Sequence, residues 1–229
     1  MHRGPRSLSK MLAAAVPLLV AVLWSCHSRL PEPFTILCMG DSLTRSRYGY
    51  YPAYLRGFAR RDGIKVRVVT AARPGDTSGE FLDFLKQTPV LKRVRPDLVV
   101  LMLGTNDVRI DGDATPLSRY RAQMEEIVRR IRATSSSRGA KIEIFLATIP
   151  PIMKLDLHTF DASSRRRVEE EIVPEIHRLA VKNGLHLLDV HAFFGEHPHL
   201  MTGVHPSRKG YYQMAAYIYA RVRPFIEVS

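Results

Sequence analysis

The sequence predicts an α/β protein built on a five-stranded parallel sheet covered on both faces by helices. Three observations point there. Short apolar runs alternate with longer amphipathic ones from residue 34 onward. The runs are rich in Val, Ile and Leu without polar alternation, as in strands buried on both faces. The stretches between them place apolar residues three and four apart, as an amphipathic helix does.

The elements follow in order. Apolar runs at Phe34–Met39, Lys65–Thr70, Asp97–Leu103, Lys141–Ala147 and Leu185–Val190 predict five strands. A helix is expected near Pro52, with Tyr51 and Tyr54 packed in it. Tyr120, Met124, Ile127, Val128 and Ile131 mark one face of the clearest helix. Val168, Ile172, Ile176 and Leu179 mark another, which Pro174 should kink. A last helix should start near Ser207, its N-cap, and run to about Val222. Strands alternating with helices imply a doubly covered parallel sheet, and the flavodoxin-like order 2-1-3-4-5 is the leading expectation. Ligands in such sheets bind beyond the strand C-termini, beside strand one.

Composition sets the remaining bounds. The chain has 229 residues, 45% hydrophobic and 24% charged, which suits one domain with a sizeable core. Residues 1–25 carry Arg3, Arg6 and Lys10, then an apolar stretch from Met11 to Trp24, and read as a signal peptide. Leu23-Trp24-Ser25-Cys26 resembles a lipoprotein cleavage site, with Cys26 as the lipidated residue; ordinary cleavage and an uncleaved anchor are the rivals. Residues 26–33 are a tether, and 34–229 the folded domain. All three readings export the domain, to a membrane-anchored or a periplasmic or extracellular location. The net charge is +12, and +9 without the leader. That surplus suits an anionic envelope surface. No nucleic-acid signature accompanies it, so no nucleic-acid partner is expected. Arg129-Arg130 and Arg165-Arg166-Arg167 fall in helical patterns and read as solvated faces. Cys38 reads as a small buried hydrophobe, and no disulfide is expected. His191, His197 and His199 fit no zinc spacing and read as surface or loop histidines, and with no G-x-G-x-x-G, Walker loop or HExxH motif in the chain neither a metal nor another cofactor is expected.

Four loops carry the chemistry. Gly40-Asp41-Ser42-Leu43-Thr44 follows strand one, and Pro74-Gly75-Asp76-Thr77 follows strand two. Gly104-Thr105-Asn106-Asp107 follows strand three, and Gly203-Val204-His205-Pro206 comes after strand five. With order 2-1-3, the Ser42 loop is bracketed by the Gly75 and Asn106 loops. A serine hydroxyl becomes a nucleophile when a base takes its proton, and an imidazole titrates near neutral pH. Backbone N–H groups of Ser42 and Gly75 and the Asn106 amide could donate to an oxyanion. Gly75 has no Cβ to hinder close approach. Ser42 should open a helix, whose dipole would also favour negative charge. Tyr48 and Tyr50 either line a pocket or simply pack, and Arg45, Arg47 and Arg109 could meet an anionic group on a substrate.

These residues carry a family resemblance. Gly40-Asp41-Ser42-Leu43 resembles the first block of SGNH, or GDSL-type, serine ester hydrolases. Ala71 to Thr77 is similar to the second block, with Thr70 where Asn is usual and Pro74 where Ser is usual. Gly104 to Asp107 matches the third block and Gly203 to Pro206 most of the last, so the resemblance spans about residues 34–220. It implies a three-layer α/β/α sandwich and an esterase or lipase that uses no metal. It assigns Ser42 as nucleophile, His205 as base, and Gly75 and Asn106 to the oxyanion hole. Asp107 becomes a structural partner between loops. The expected substrate is a small-molecule, lipid or glycan ester: a short-chain acyl or O-acetyl ester, or a lysophospholipid. The family's last block has an aspartate where Thr202 stands. Three readings follow: a Ser–His dyad, a substitute carboxylate at Asp189 or Glu196, or a catalytically weak, envelope-binding protein. Acyl transfer to a sugar hydroxyl would use the same nucleophile.

Overall fold

The computed structural model describes residues 32–227 apart from 46–48, 113 and 156–157. Five parallel strands, β1 (Phe34–Gly40), β2 (Val66–Ala72), β3 (Leu98–Met102), β4 (Glu143–Ala147) and β5 (His186–Leu188), form one sheet in the order β2-β1-β3-β4-β5. All seven residues of β1 are buried, because it has a strand on each side and a helical layer on each face. β2 lies at an edge and buries far less. β5 is three residues long, shorter than its apolar run, because Asp189 leaves the strand to cap the next helix.

The chain moves left from β1 to β2 and right from β2 onward. Right-handed crossovers therefore put the intervening helices on opposite faces. Helix α1 (Tyr51–Arg61) packs with the C-terminal helix, here α8 (Arg208–Glu227). Helix α2 (Ser78–Gln87) packs with α4 (Leu117–Arg132), and the short α3 (Val90–Val94) leads into β3. The result is a three-layer α/β/α sandwich. Tyr120, Met124, Ile127, Val128 and Ile131 of α4 are all buried. Each such side chain contributes about 1.5–3 kcal/mol of burial.

Beyond β4 come α5 (Ala162–Arg167), a π-helical turn (Val168–Ile172) and α6 (Val173–Asn183). The kink expected from Pro174 takes this form. Pro174 has no N–H to give the carbonyl of Glu170. The chain widens by one residue just before it, and Val173 N–H bonds the Val168 carbonyl. Arg121 on α4 grips buried Glu175 on α6 with two hydrogen bonds, 3.0 and 2.9 Å, fastening these helices. Helix α7 (Val190–Glu196) follows β5. Ser207 caps α8 as expected, its Oγ accepting from Gly210 N–H at 3.1 Å. That helix runs to Glu227, past the expected end at Val222.

Residues 1–31 lie outside the described residues, and with them the expected signal peptide and Cys26. Among the described residues, no helix is long and apolar enough to cross a membrane. Cys38 is fully buried, and its thiol is pushed up to about 12 by that burial.

Candidate active site

The C-terminal ends of β1, β2 and β3 are in register, with Gly40 opposite both Ala72 and Met102. Their loops therefore leave one edge of the sheet together. Gly40 sits where a Cβ would lie 2.3 Å from the Met102 carbonyl oxygen and 2.5 Å from Thr44 Oγ1, so only glycine fits. The next residues form a tight turn, with Thr44 and Arg45 N–H both bonding the Asp41 carbonyl at 3.2 Å. Asp41 Oδ1 accepts Leu43 N–H at 2.8 Å, and Tyr211 on α8 donates to the Ser42 carbonyl at 3.2 Å. Ser42 thus sits in a turn, not at the start of a helix as expected. Thr44 and Arg45 close back on Asp41, and α1 does not start until Tyr51.

His205 arrives from the far end of the sheet. Met201 and Pro206 form an antiparallel bridge, and Thr202 N–H bonds the His205 carbonyl at 2.8 Å. This short loop brings His205 Nε2 to 2.8 Å from Ser42 Oγ, across 163 residues of sequence. Thr202 Oγ1 also donates to the His205 carbonyl, at 3.1 Å, and so shapes the loop. Asp189 accepts from Ala192 N–H and Thr148 Oγ1, each at 3.0 Å, and lies 3.3 Å from His177 Nε2. These are the bonds of a helix cap at a strand end. Glu196 is exposed at the last position of α7.

Gly75 has φ +90°, a conformation that disfavours a side chain. A Cβ there would meet nothing within 4 Å, so backbone conformation, not close packing, explains the glycine. Among the described residues, the N–H groups of Ser42 and Gly75 make no hydrogen bond. Asn106 is buried, and its Nδ2 donates to the Asp76 carbonyl at 2.9 Å and to Asp41 Oδ2 at 3.3 Å. Two acceptors on one side settle which end of the carboxamide is nitrogen. Asp107 ties the second and third loops together, accepting Ser78 Oγ at 2.6 Å and Ser78 N–H at 3.0 Å. Burial holds its carboxyl above the ordinary range despite those bonds. Thr77 and Glu80 form a capping box at the start of α2, which fixes the second loop against that helix.

Several contributors were not legible in the sequence. Arg165 and Arg167 do not lie on a solvated face. Arg167 donates to the carbonyls of Asp107 (3.2 Å) and Thr115 (2.6 Å), and Arg165 to that of Ile152 (2.9 Å). Arg129 and Arg130 do pair with Glu126 at the surface. Arg109, a candidate for anion binding, is ion-paired with Asp111. Arg45 is exposed, while Arg47 and Tyr48 lie outside the described residues. Tyr50 hydrogen-bonds Thr70 through its hydroxyl, joining the turn to β2. His191 and His197 bond backbone carbonyls at 3.1 and 2.8 Å.

A cleft of about 480 Å³ opens beside Gly75 and Asn106. Glu80, Asp83, Arg119 and Gln123 line it further out, and neither Ser42 nor His205 forms part of its wall.

Residues 38–213 match the GDSL-like Lipase/Acylhydrolase family. The chain belongs to that family. A relative from Xylanibacter ruminicola, an acetylxylan esterase, is 28% identical over 217 residues, 84% of this chain. The match spans only 44% of that relative's length. Among solved structures, the lipase/acylhydrolase from Enterococcus faecalis has a TM-score of 0.65 at 23% identity, covering 84% of this chain and 96% of that one. A carbohydrate acetylesterase family member from Sinorhizobium meliloti has 0.67 at 20% identity, covering 84% and 99%. At these identities the two structures share the fold. The three-layer sandwich of this GDSL-family chain is theirs as well.

Proposed function

We propose that this chain hydrolyses small acyl esters of carbohydrates, O-acetyl groups foremost, through an acyl-enzyme on Ser42. The observation that carries the reading is the 2.8 Å contact between Ser42 Oγ and His205 Nε2, together with the N–H groups of Ser42 and Gly75, which make no hydrogen bond among the described residues. Ser42 Oγ attacks the ester carbonyl carbon as its proton passes to His205 Nε2. The carbonyl oxygen, now an anion, is met by those two N–H groups and by Asn106 Nδ2. His205 then gives its proton to the departing alcohol oxygen as that C–O bond breaks. Water repeats the sequence on the acyl-serine, releasing the acid and restoring Ser42. Asp189 is engaged as a helix cap and Thr202 with the His205 carbonyl, which argues against either as the group that orients the His205 ring.

The substrate class rests on two supports. The cleft beside the oxyanion donors has the size of a small-molecule site but a polar wall, which suits hydroxyl-rich groups over a long acyl chain. The Xylanibacter ruminicola relative carries the name acetylxylan esterase. The test compares the purified domain on p-nitrophenyl acetate, acetylated xylan and a lysophospholipid. Release of acetate from the first two and no fatty acid from the third is expected. Turnover of the lysophospholipid alone would replace the carbohydrate reading with a lipase. No turnover of any would leave a binding protein.

The N-terminal basic and apolar segments, ending at Leu23-Trp24-Ser25-Cys26, support export and a lipid anchor on Cys26. The ester substrate is then met outside the cytoplasm.

A further inference from the structure

Asp41 precedes the nucleophile, is fully buried, and has no ion-pair partner among the described residues. A buried carboxylate without a cation is costly, so its place in the fold calls for a reason. Its two oxygens face different loops. Oδ1 accepts Leu43 N–H at 2.8 Å and so closes the turn that holds Ser42. Oδ2 accepts Asn106 Nδ2 at 3.3 Å, from the loop after β3.

We infer that Asp41 is a positioning residue of the oxyanion hole, joining the Ser42 turn to the Asn106 carboxamide through one carboxylate. The inference rests on the hydrolase reading above.

The geometry gives the joint a purpose. The Ser42 N–H and the Asn106 amide belong to loops 65 residues apart, reckoned from Asp41 to Asn106. A preorganised hole needs both donors set before substrate arrives. Asn106 Nδ2 is held firmly by the Asp76 carbonyl at 2.9 Å and loosely by Asp41 at 3.3 Å. The proton on the longer bond is the one an oxyanion can take at least cost. Asp41 thus keeps the amide aimed while holding that proton weakly. The groups around Asp41 leave it this role. The Asp76 carboxylate is ion-paired to Arg73 at 2.8 Å, the Asp107 carboxylate bonds Ser78, and Tyr120 on α4 donates to the Leu103 carbonyl. His205 stands one residue away, on Ser42.

The test is a double-mutant cycle read on p-nitrophenyl acetate with Asp41→Asn, Asn106→Ala and the pair. The Asp41→Asn change keeps the size of the side chain and one acceptor for Leu43 N–H, but turns an NH2 group toward the NH2 of Asn106. We expect kcat to fall about 10- to 100-fold with KM little changed, the cost of a misaimed donor. In the Asn106→Ala background, Asp41→Asn should cost no more than about twofold further. A purely structural role would not depend on whether Asn106 is present. Wild-type kcat in Asp41→Asn overturns the inference, and so do losses that multiply in full. An Asn106→Ala enzyme as active as wild type instead removes the oxyanion reading of Asn106 itself. If Asp41→Asn does not fold, Asp41→Ser takes its place. The shorter hydroxyl side chain can accept Leu43 N–H but stops short of Asn106. If neither folds, Asp41 serves the fold and the inference is withdrawn.

Discussion

At Asn106 a single side chain serves the Asp76 carbonyl and Asp41 and, on the proposed mechanism, would also serve the oxyanion during turnover. Only two protons sit on its nitrogen, so the third bond forms at the expense of the weakest. Asn106→Ala should lower kcat about 10²–10³-fold with a smaller effect on KM, because the oxyanion exists only near the transition state. Steady-state kinetics checks this, and a rise in KM alone would make Asn106 a substrate-binding residue. Asp41 makes a second expectation at this scale. Burial, with Asp107 and Asp76 adding like charge nearby, raises its carboxyl from 3.8 to about 7. The folded protein therefore holds this proton more tightly than the unfolded chain does. The resulting stability is full below about pH 4 and is lost as pH rises toward 7. Urea unfolding at pH 4, 5.5, 7 and 8 should show wild type losing stability relative to Asp41→Asn across that window. A constant difference would mean Asp41 keeps an ordinary carboxyl. The motif made Ser42, Gly75, Asn106 and His205 legible in the sequence. The Asp41–Asn106 contact was not, since no periodicity links two loops on different strands.

At the scale of elements, the π-turn at Val168–Ile172 rearranges what the sequence suggests. Three consecutive arginines read as a solvated face, because composition alone cannot say which way a helix is rotated. The structure turns Arg167 inward, onto the two ends of the loop from Asp107 to Thr115 that follows Asn106. Arg167 also pairs with Glu171 at 3.0 Å, and its side chain is only 20% exposed. Arg167→Met should cost about 2 kcal/mol of unfolding free energy, the range for hydrogen bonds to a charged group. Arg166→Met, at an exposed position, should stay within about 0.5 kcal/mol. Equal effects in chemical denaturation would deny Arg167 its clamp. The strands themselves were legible, since burial on both faces leaves an unbroken apolar run. Their ends were not. The run at Leu185–Val190 overshoots β5 because Asp189 is a cap, and a cap shows itself only through the amide it accepts.

The whole molecule joins a sheet edge that gathers loops from β1, β2 and β3 to a C-terminal loop that returns His205 to Ser42. Strand order brings this about: β1 lies between β2 and β3, so the Ser42 loop is flanked by the Gly75 and Asn106 loops. The proposed anchor adds a constraint of place, with the domain tethered by residues 26–33 to an envelope surface. Cys26→Ser should move the protein from the membrane fraction to the soluble one after export. Retention in the membrane with an intact N-terminus would mean an uncleaved helix. The central claim is that Ser42 forms the covalent bond, and it is tested most directly by turnover of p-nitrophenyl acetate by Ser42→Ala. We expect kcat to fall on the order of 10³-fold or more, with the thermal transition unchanged, because removing Oγ leaves His205 with no nucleophile to activate. A folded Ser42→Ala protein that releases p-nitrophenol at the wild-type rate would contradict it.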